Sequence, residues 1–290
     1  MHRFPMPRLM AVLNASPESF SGAVVDAATV AGRARAAVDG GASILDIGGQ
    51  SLRTDQAEIS VEDEIGRTVP VVRACLGAFG GQGPRPDVSV DTYRSPVAAA
   101  AIAAGATIVN DPSGLSDPDM VGVVRDTGVS VVVTYNRARP KVRLAAGELA
   151  DDPVEDGVRF LTRRLEDLAA AGVPAEQVIV DPGPDLGKSP AQTVDVLRHL
   201  DRFRTFGRPL LLALSRKDFI GAITSTAPLD RSAGLLGVLS GIDLGPDDIL
   251  RVHEPARVRD FYVLRATVTG VVDVEPGLEL PKHLRHVPAR

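Results

Sequence analysis

The sequence has little of what marks a disulfide-built, membrane-spanning or nucleic-acid-binding protein. Its 290 residues include one cysteine, Cys75, which excludes a disulfide framework and a zinc site built on cysteines. No apolar run approaches the ~18 residues of a membrane helix, and residues 1–9 hold no stretch typical of a signal peptide. A formal net charge of −5 lacks the basic excess of a nucleic-acid binder. These absences predict a cytoplasmic protein whose partners are small molecules, with no nucleic acid and no membrane among them.

The composition is that of an ordinary globular domain. Hydrophobic residues make up 44% of the chain and charged residues 24%, which leaves ample material for a core. A length of 290 residues fits a barrel of about 250 residues with additions at its ends. We therefore expect a single domain over residues 1–272, followed by a C-terminal extension over residues 273–290 in which prolines and basic residues are scattered.

Short, nearly continuous apolar runs alternate with amphipathic segments, as expected for parallel strands buried on both faces. The predicted strands are Leu9–Leu13, Ile44–Ile47, Val88–Val90, Ile108–Asn110, Ser130–Thr134, Val178–Asp181, Leu210–Leu214 and Ile249–Val252. Eight strands with intervening helices match the closure number of a (β/α)8 TIM barrel. An open, doubly wound sheet is the alternative, but the Gly-x-Gly-x-x-Gly that usually follows its first strand is missing. We therefore predict an α/β protein with the TIM-barrel fold.

Polar residues stand at the C-terminal ends of most predicted strands, where a TIM barrel holds its chemistry. A single aspartate there is usually a helix N-cap, but independent caps explain so many polar ends poorly. Groups that suit the polar edge of a flat heterocycle come from Asp91, Asn110, Asp181 and Lys217. Donors and positive charge that suit a phosphate come from Asn14, Arg53, Arg251 and His253. The sequence therefore predicts a ligand with a polar ring at one end and a phosphate at the other.

Seven short motifs give the chain a resemblance to the dihydropteroate synthase family over about residues 8 to 265. They read LNASPESF at 13–20, DIGGQSLR at 46–53, SVDT at 89–92, NDPSG at 110–114, DPGPDLGK at 181–188, SRKDFIG at 215–221 and RVH at 251–253. Members of that family are TIM barrels that condense a dihydropterin hydroxymethyl diphosphate with p-aminobenzoate and release diphosphate, with Mg²⁺ assisting. The resemblance therefore implies a transferase of folate biosynthesis.

The resemblance also implies a role for each matched residue. The pterin would be held by Asp91, Asn110, Asp181 and Lys217. The diphosphate would be bound by Arg251 and His253, and the magnesium ion by Asn14. Arg53, in the loop after the second strand, would neutralise the charge of the leaving group. Ser215 and Asp218 complete the expected substrate-binding set. The expected catalytic residues are Arg53, Lys217 and Arg251.

The chain departs from the family pattern on the side that would receive the second substrate. A serine and the following helix N-terminus bind the carboxylate of p-aminobenzoate in the family, and this chain has Asp218 at the position of that serine. At ~5 Å and an effective dielectric of 20 the repulsion would be about 3 kcal/mol, unless Asp218 instead caps the helix. Leu52 and Leu186 replace a hydroxyl-bearing and an aromatic residue on the same side. This pattern resembles the diverged second synthase-like paralogue of some actinobacteria.

Three functions stay open on the sequence. The first is a working dihydropteroate synthase. The second is a diverged homologue that binds a pterin or its phosphate without condensing p-aminobenzoate, either as a binding protein or as an enzyme with another amine acceptor. The third is a pterin-binding methyltransferase barrel that serves a corrinoid, although such a barrel has no use for the SRK and RVH segments. By resemblance, we also expect a homodimer.

Overall fold

Eight parallel strands curl into a nearly closed barrel, and helices cover its outer face. A computed structural model describes residues 6–15, 27–51, 54–80 and 85–285. The strands are β1 (Arg8–Asn14), β2 (Ala42–Gly48), β3 (Asp87–Asp91), β4 (Ile108–Asp111), β5 (Ser130–Thr134), β6 (Val178–Asp181), β7 (Leu211–Ala213) and β8 (Ile249–Val252). The α-helices are α1 (Ala27–Asp39), α2 (Val61–Gly77), α3 (Ser95–Ala103), α4 (Asp119–Thr127), α5 (Pro153–Ala170), α6 (Pro190–Arg198), α7 (Leu200–Arg204), α8 (Asp218–Thr224), α9 (Ser232–Ser240) and α10 (Pro255–Val268). Short 3₁₀ helices lie at Ala146–Glu148, Ala175–Gln177, Pro228–Asp230 and Lys282–Leu284.

The strand order shows how the sheet closes on itself. Hydrogen-bonded neighbours run β6-β5-β4-β3-β2-β1-β8-β7, and every pair is parallel. The two edge strands of that order, β6 and β7, meet through a parallel bridge between Val180 and Leu210. The backbone N–H of Val180 also donates to the carbonyl of Pro209 at 3.0 Å. The prediction of a TIM barrel is confirmed.

The predicted strand bounds agree with the observed ones to within two residues at each end. Beyond α10, which ends at Val268, the described chain consists of loops and the 3₁₀ helix Lys282–Leu284, and its residues are mostly exposed. The expected boundary between a barrel at 1–272 and an extension at 273–290 stays a prediction.

Two apolar layers build the core on either side of the sheet. Outside the barrel, alternate strand residues such as Val90 and Leu212 pack with helix residues such as Phe203 and Phe219. Inside, one buried residue from each of seven strands fills the bottom of the barrel. We call this layer the apolar plug, and it comprises Met10, Ile44, Ile108, Val132, Ile179, Leu211 and Ile249. Within the described residues, no helix is both long and apolar enough to span a membrane.

The plug follows from the alternation of side chains along a strand. Successive residues point to opposite faces of the sheet, so the residue two positions after a plug residue also faces the barrel interior. The interior is therefore filled in layers from the N-terminal to the C-terminal ends of the strands. The layers above the plug define the site.

Asp248, a buried residue just before β8, connects the starts of β1, β7 and β8 at the end of the barrel away from these upper layers. Asp248 is 3% exposed and accepts hydrogen bonds from the backbone N–H groups of Leu210 (3.0 Å) and Gly245 (2.7 Å) and from Arg204 Nη2 (2.9 Å). Its own carbonyl accepts the N–H of Arg8 at 2.8 Å.

We predict that Asp248→Ala lowers the free energy of unfolding by about 3 kcal/mol, because two buried N–H groups and Arg204 lose their acceptor. Urea denaturation measures the change. Arg204→Met is the matched control and should lose less than about 1 kcal/mol, since the Arg204 side chain is 39% exposed and both N–H bonds survive. Equal losses in the two variants would contradict the prediction.

Candidate active site

The interior layer directly above the apolar plug is polar. Two residues after a plug residue, five strands place Asp46, Asn110, Thr134, Asp181 and Arg251. The first four are buried, and Arg251 is partly buried. Asp91 of β3 pairs with Asn110 in the strand register, and Asn14 and His253 lie one layer further up, four residues after Met10 and Ile249. The strand alternation alone therefore collects these side chains at the mouth of the barrel.

Arg251 lies within this polar layer and binds two carboxylates. Its Nε donates to Asp46 Oδ2 at 2.6 Å, and its Nη2 donates to Asp91 Oδ2 at 2.5 Å. Asn110 Nδ2 also donates to Asp46 Oδ2, at 3.3 Å. Burial raises the pKa of the Asp91 carboxyl, while the Arg251 guanidinium opposes the rise by favouring the carboxylate. Asp46 Oδ1 is buried and has no hydrogen-bond partner among the described residues, which leaves an unused acceptor in the layer.

Asp181 ends β6 and shares its surroundings with Lys217. The N–H of Gly183 donates to Asp181 Oδ1 at 2.7 Å. Burial raises the pKa of Asp181 to about 6, and the Gly183 bond and the charges of Lys217 and Lys188 oppose the rise. Burial lowers the pKa of Lys217, against the charges of Asp185 and Asp181. The pair thus offers a buried acceptor and a partly buried donor to the polar edge of one ligand.

Lys188 fixes the loop that follows Asp181. Its ammonium donates to the carbonyls of Gly183 (2.9 Å), Leu186 (3.0 Å) and Tyr135 (3.3 Å), and lies 3.9 Å from the centre of the Tyr135 ring. Gly183 has φ +66°, and a Cβ there would lie 2.0 Å from the Tyr135 carbonyl oxygen. Glycine and Lys188 together therefore hold the turn in which the Gly183 N–H reaches Asp181.

A cavity of about 480 Å³ opens beside this layer, between β1 and α1 on one side and β8 and α10 on the other. Asn14, Arg216 and His253 line it at the strand ends, and Arg33 and Arg257 line it from the helices. Arg216 has φ +64°, and its Nε is buried without a hydrogen-bond partner among the described residues. Several donors and cationic side chains in one cavity suit an anionic group of a ligand.

His253 is held in the neutral form at the edge of this cavity. Its Nδ1 lies 3.0 Å from Ser215 Oγ, and its backbone N–H donates to the same hydroxyl at 3.4 Å. Burial and the nearby charges of Arg216, Arg251 and Lys217 lower the pKa of His253 to about 3. Ser215 therefore orients an uncharged imidazole, which can offer a hydrogen bond but no charge.

The structure brings most of the predicted site residues together, in two groups. Asp91, Asn110, Asp181 and Lys217 belong to the polar interior, while Asn14 and His253 line the cavity and Ser215 contacts His253. Arg251 was expected beside His253 but does not line that cavity. It stands one layer below His253, level with Asp46, and therefore turns its guanidinium into the barrel.

Asp218 lies apart from both groups. It is the first residue of α8, its side chain is 91% exposed, and its Oδ1 accepts from Arg231 Nη1 at 2.9 Å. The alternative in which Asp218 caps the helix is wrong, because Lys217 is the N-cap residue and the N–H of Phe219 in the first turn donates to Asp185 instead. Leu186 is partly buried in the loop that Lys188 holds. Arg53 and Leu52 lie outside the described residues.

The site also contains residues that were not among the predicted ones, including Asp46, Arg216, Lys188 and Asp185. Asp46 could have been found, because it follows Ile44 by two positions as Asn110 follows Ile108, and so shares a layer with it. Arg216 stands inside the SRK motif. Lys188 and Asp185 lie in a loop without periodicity, and no sequence pattern indicated where their side chains point.

The described residues offer a magnesium ion few protein ligands. No group of three or more His, Cys, Asp or Glu side chains among them could hold a metal by itself. The side chains of Asn14 and Asp91 nevertheless share a space beside Gly48, where a Cβ would lie 3.9 Å from Asn14 Oδ1 and 3.8 Å from Asp91 Oδ2. Mg²⁺ at phosphate sites takes one or two protein oxygens and keeps several waters. This donor set fits an ion held mainly by phosphate and water.

Known proteins similar to this chain point to one family. A sequence profile of the family described as pterin binding enzyme matches residues 10–253. The chain is 32% identical to the dihydropteroate synthase of Escherichia coli over 270 residues, which cover 91% of this chain and 93% of that protein. It is 33% identical over 270 residues to a Mycobacterium tuberculosis protein described as inactive dihydropteroate synthase 2, with 91% of this chain and 83% of that protein covered.

Solved structures similar to this chain point to the same family. Dihydropteroate synthase of Xanthomonas albilineans with 4-aminobenzoic acid superposes with a TM-score of 0.80 at 34% identity, covering 92% of this chain and 94% of that one. The same enzyme in complex with 7,8-dihydropteroate gives a TM-score of 0.78 at 33% identity, covering 92% and 95%.

The buried Asp181 carboxylate should lower the stability of the fold at neutral pH. Its pKa of about 6 exceeds the ~3.9 of an unfolded chain, so the folded state holds this proton more tightly. The resulting destabilisation is full above about pH 6 and disappears as the pH falls through about 4.

We therefore predict that Asp181→Asn raises the free energy of unfolding by up to about 3 kcal/mol at pH 8, and by much less at pH 4. Urea denaturation at the two pH values measures this. Asp201→Asn removes an exposed carboxylate and should change stability by less than about 0.5 kcal/mol at either pH. A gain that does not depend on pH would argue against a raised pKa.

Proposed function

Because the chain belongs to the pterin-binding enzyme family, we propose that it binds a dihydropterin hydroxymethyl diphosphate and transfers the pterin-methyl group to an arylamine. When the amine is p-aminobenzoate, this is the dihydropteroate synthase reaction of folate biosynthesis. One observation carries the proposal: a buried polar layer suited to a heterocycle adjoins a cavity suited to an anion.

The pterin occupies the polar layer in this proposal. Asp181 and Asp91 accept hydrogen bonds from the amino and ring N–H groups, Asn110 supplies an amide, and Lys217 donates to the carbonyl edge. Arg251 acts on the same ring, since it is bound to Asp46 and Asp91. A ligand that left these buried groups unpaired would lose ~1–3 kcal/mol per group, which gives the site its selectivity for pterins.

The diphosphate occupies the cavity beside β8. Arg216 supplies charge there, and Ser215 holds His253 so that the imidazole can donate a hydrogen bond. Asn14, with Asp91 beside it, would hold a magnesium ion, which supplies positive charge to the leaving diphosphate when it is bound. We also propose that Arg53, in the loop after β2, neutralises charge on the leaving group.

The reaction exchanges one bond for another at the methylene carbon of the pterin. The carbon–oxygen bond to diphosphate breaks, and its electron pair leaves with the diphosphate. The electron-rich pterin delocalises the positive charge that remains on the carbon. The amine nitrogen then forms the new carbon–nitrogen bond and loses a proton to water. Electrostatic stabilisation by Arg216, Arg53 and the donors around them lowers the barrier to the first event.

Similar proteins support this proposal and also a second candidate. The synthases of Escherichia coli and Xanthomonas albilineans support the transfer reaction, and the latter is known with both 4-aminobenzoic acid and 7,8-dihydropteroate. The relative described as inactive supports the alternative, a diverged homologue that binds a pterin or its phosphate without condensing p-aminobenzoate. Asp218, where the family has a serine, does not add to this support, because its side chain is exposed and paired with Arg231. We also propose that the chain forms a homodimer, by resemblance to the family.

Measurement of turnover distinguishes the transferase from the homologue that only binds a pterin. With pterin diphosphate and an arylamine present, we expect diphosphate release that depends on both the protein and the amine, followed with a coupled pyrophosphatase assay. Protein that binds pterin diphosphate, as measured by calorimetry, yet releases no diphosphate with any arylamine would establish the second candidate. Protein that binds no pterin at all would refute both.

Substitutions in the two groups of residues should affect the binding of different ends of the ligand. We predict that Arg216→Ala lowers the preference for pterin diphosphate over the unphosphorylated alcohol at least tenfold, because a charge-assisted contact to the anion is lost. Arg251→Ala should instead weaken both ligands about equally, because the guanidinium lies in the pterin layer. Titration calorimetry with both ligands measures the ratio. A ratio that collapses only in Arg251→Ala would place the anion with Arg251, as the sequence suggested.

A further inference from the structure

Asp185, in the loop after β6, places a carboxylate at the start of α8, where its charge acts on Lys217. Its Oδ2 accepts the N–H of Phe219, in the first turn of α8, at 3.2 Å. Its Oδ1 accepts the hydroxyl of Thr193 at 3.2 Å, and the same hydroxyl accepts the N–H of Asp185 at 3.1 Å. The carboxylate thus joins the loop after β6 to the start of α8.

The backbone of Asp185 shows how firmly this position is held. Its φ is +64°, a left-handed conformation that non-glycine residues rarely adopt and that costs on the order of 1 kcal/mol. The chain keeps an aspartate here although glycine would take the same conformation without strain. The hydrogen bonds of the side chain, and not the conformation of the turn, therefore explain why this position holds an aspartate.

Two neighbouring residues divide the mouth of the barrel. Arg216 lines the cavity with Asn14 and His253, whereas the charge of Lys217 acts on Asp181 and Asp185. In the proposed reaction the leaving group takes the first side, and neither Asp185 nor the first turn of α8 lines the anion cavity. An amine that approached from the side of α8 would meet the Asp185 carboxylate.

We propose that Asp185 determines the class of acceptor, so that the site takes an uncharged or cationic amine and rejects an arylamine that carries a carboxylate. The inference rests on the proposed transfer to an arylamine. A carboxylate brought to ~5 Å from Asp185 at an effective dielectric of 20 would bind about a hundredfold more weakly than an uncharged analogue. Asp185 already fills the N–H acceptor position that such a carboxylate could use at Phe219. Asp218, the first residue of α8, also carries a negative charge, but this charge is compensated by the buried Arg231.

The test compares p-aminobenzoate with p-aminobenzamide, its uncharged amide. Asp185→Asn is the informative variant, because asparagine keeps the acceptor oxygen for Phe219 and tolerates a left-handed backbone. Asp230→Asn is the charge-matched control, since Asp230 is exposed and lies in the 3₁₀ helix that follows α8. Binding of pterin diphosphate is measured first in each protein, and the amines are then titrated in the presence of the pterin.

The wild-type protein should bind p-aminobenzamide at least tenfold more tightly than p-aminobenzoate. In Asp185→Asn the affinity for p-aminobenzoate should rise ten- to a hundredfold, with the affinity for the amide changed less than threefold. Asp230→Asn should keep the wild-type ratio. Thermal melting confirms that each variant is folded.

Several outcomes would overturn the proposal. One is an unchanged ratio in Asp185→Asn, and another is the same switch in Asp218→Asn alone, which would assign the selectivity to Asp218. A third is the absence of binding by either amine to the pterin-loaded wild type and Asp185→Asn. Failure of all the proteins to bind pterin diphosphate is a different result, since it removes the proposed function itself.

Discussion

The closed parallel barrel dictates that every second side chain of each strand enters one shared interior. Because all strands run in the same direction, residues at equal heights form layers, and a layer has a single chemical character only when the strands agree. Two such layers are present in this barrel: the apolar plug from Met10 to Ile249, and the mainly polar layer above it. The apolar plug keeps water away from the lower side of the polar groups. For this reason burial is the main cause of the pKa shifts of Asp91, Asp181 and Lys217.

Charge in the polar layers is nearly balanced. Three carboxylates, from Asp46, Asp91 and Asp181, face the cations of Arg251 and Lys217, with Lys188 behind them. Buried pairs of this kind gain little net stability over apolar residues, because desolvation offsets most of the Coulomb attraction. The barrel therefore keeps them at the expense of stability, which is expected where polar groups serve a ligand rather than the fold.

How much was predictable from the sequence depended on periodicity. Strands with an apolar run, such as Val178–Asp181, were located to within two residues, and the polar residues that end them did converge. The height of a residue within the barrel was harder to foresee, because it depends on register between strands, so Arg251 was grouped with His253 instead of Asp46. The positions of loop side chains could not be predicted. The Asp185 carboxylate, for example, depends on a left-handed backbone conformation that no local sequence pattern indicates.

The left-handed backbone of Arg216 bears on how such a barrel can change over evolutionary time. At φ +64° the position admits glycine or asparagine freely and strongly disfavours β-branched side chains. A single exchange to glycine would thus remove the guanidinium from the anion cavity while the turn, the neighbouring Lys217 and the barrel stayed as they are. In the proposed function, loss of the leaving-group site and retention of the heterocycle site are therefore one short mutational step apart. A barrel with this turn could then bind the heterocycle without reacting.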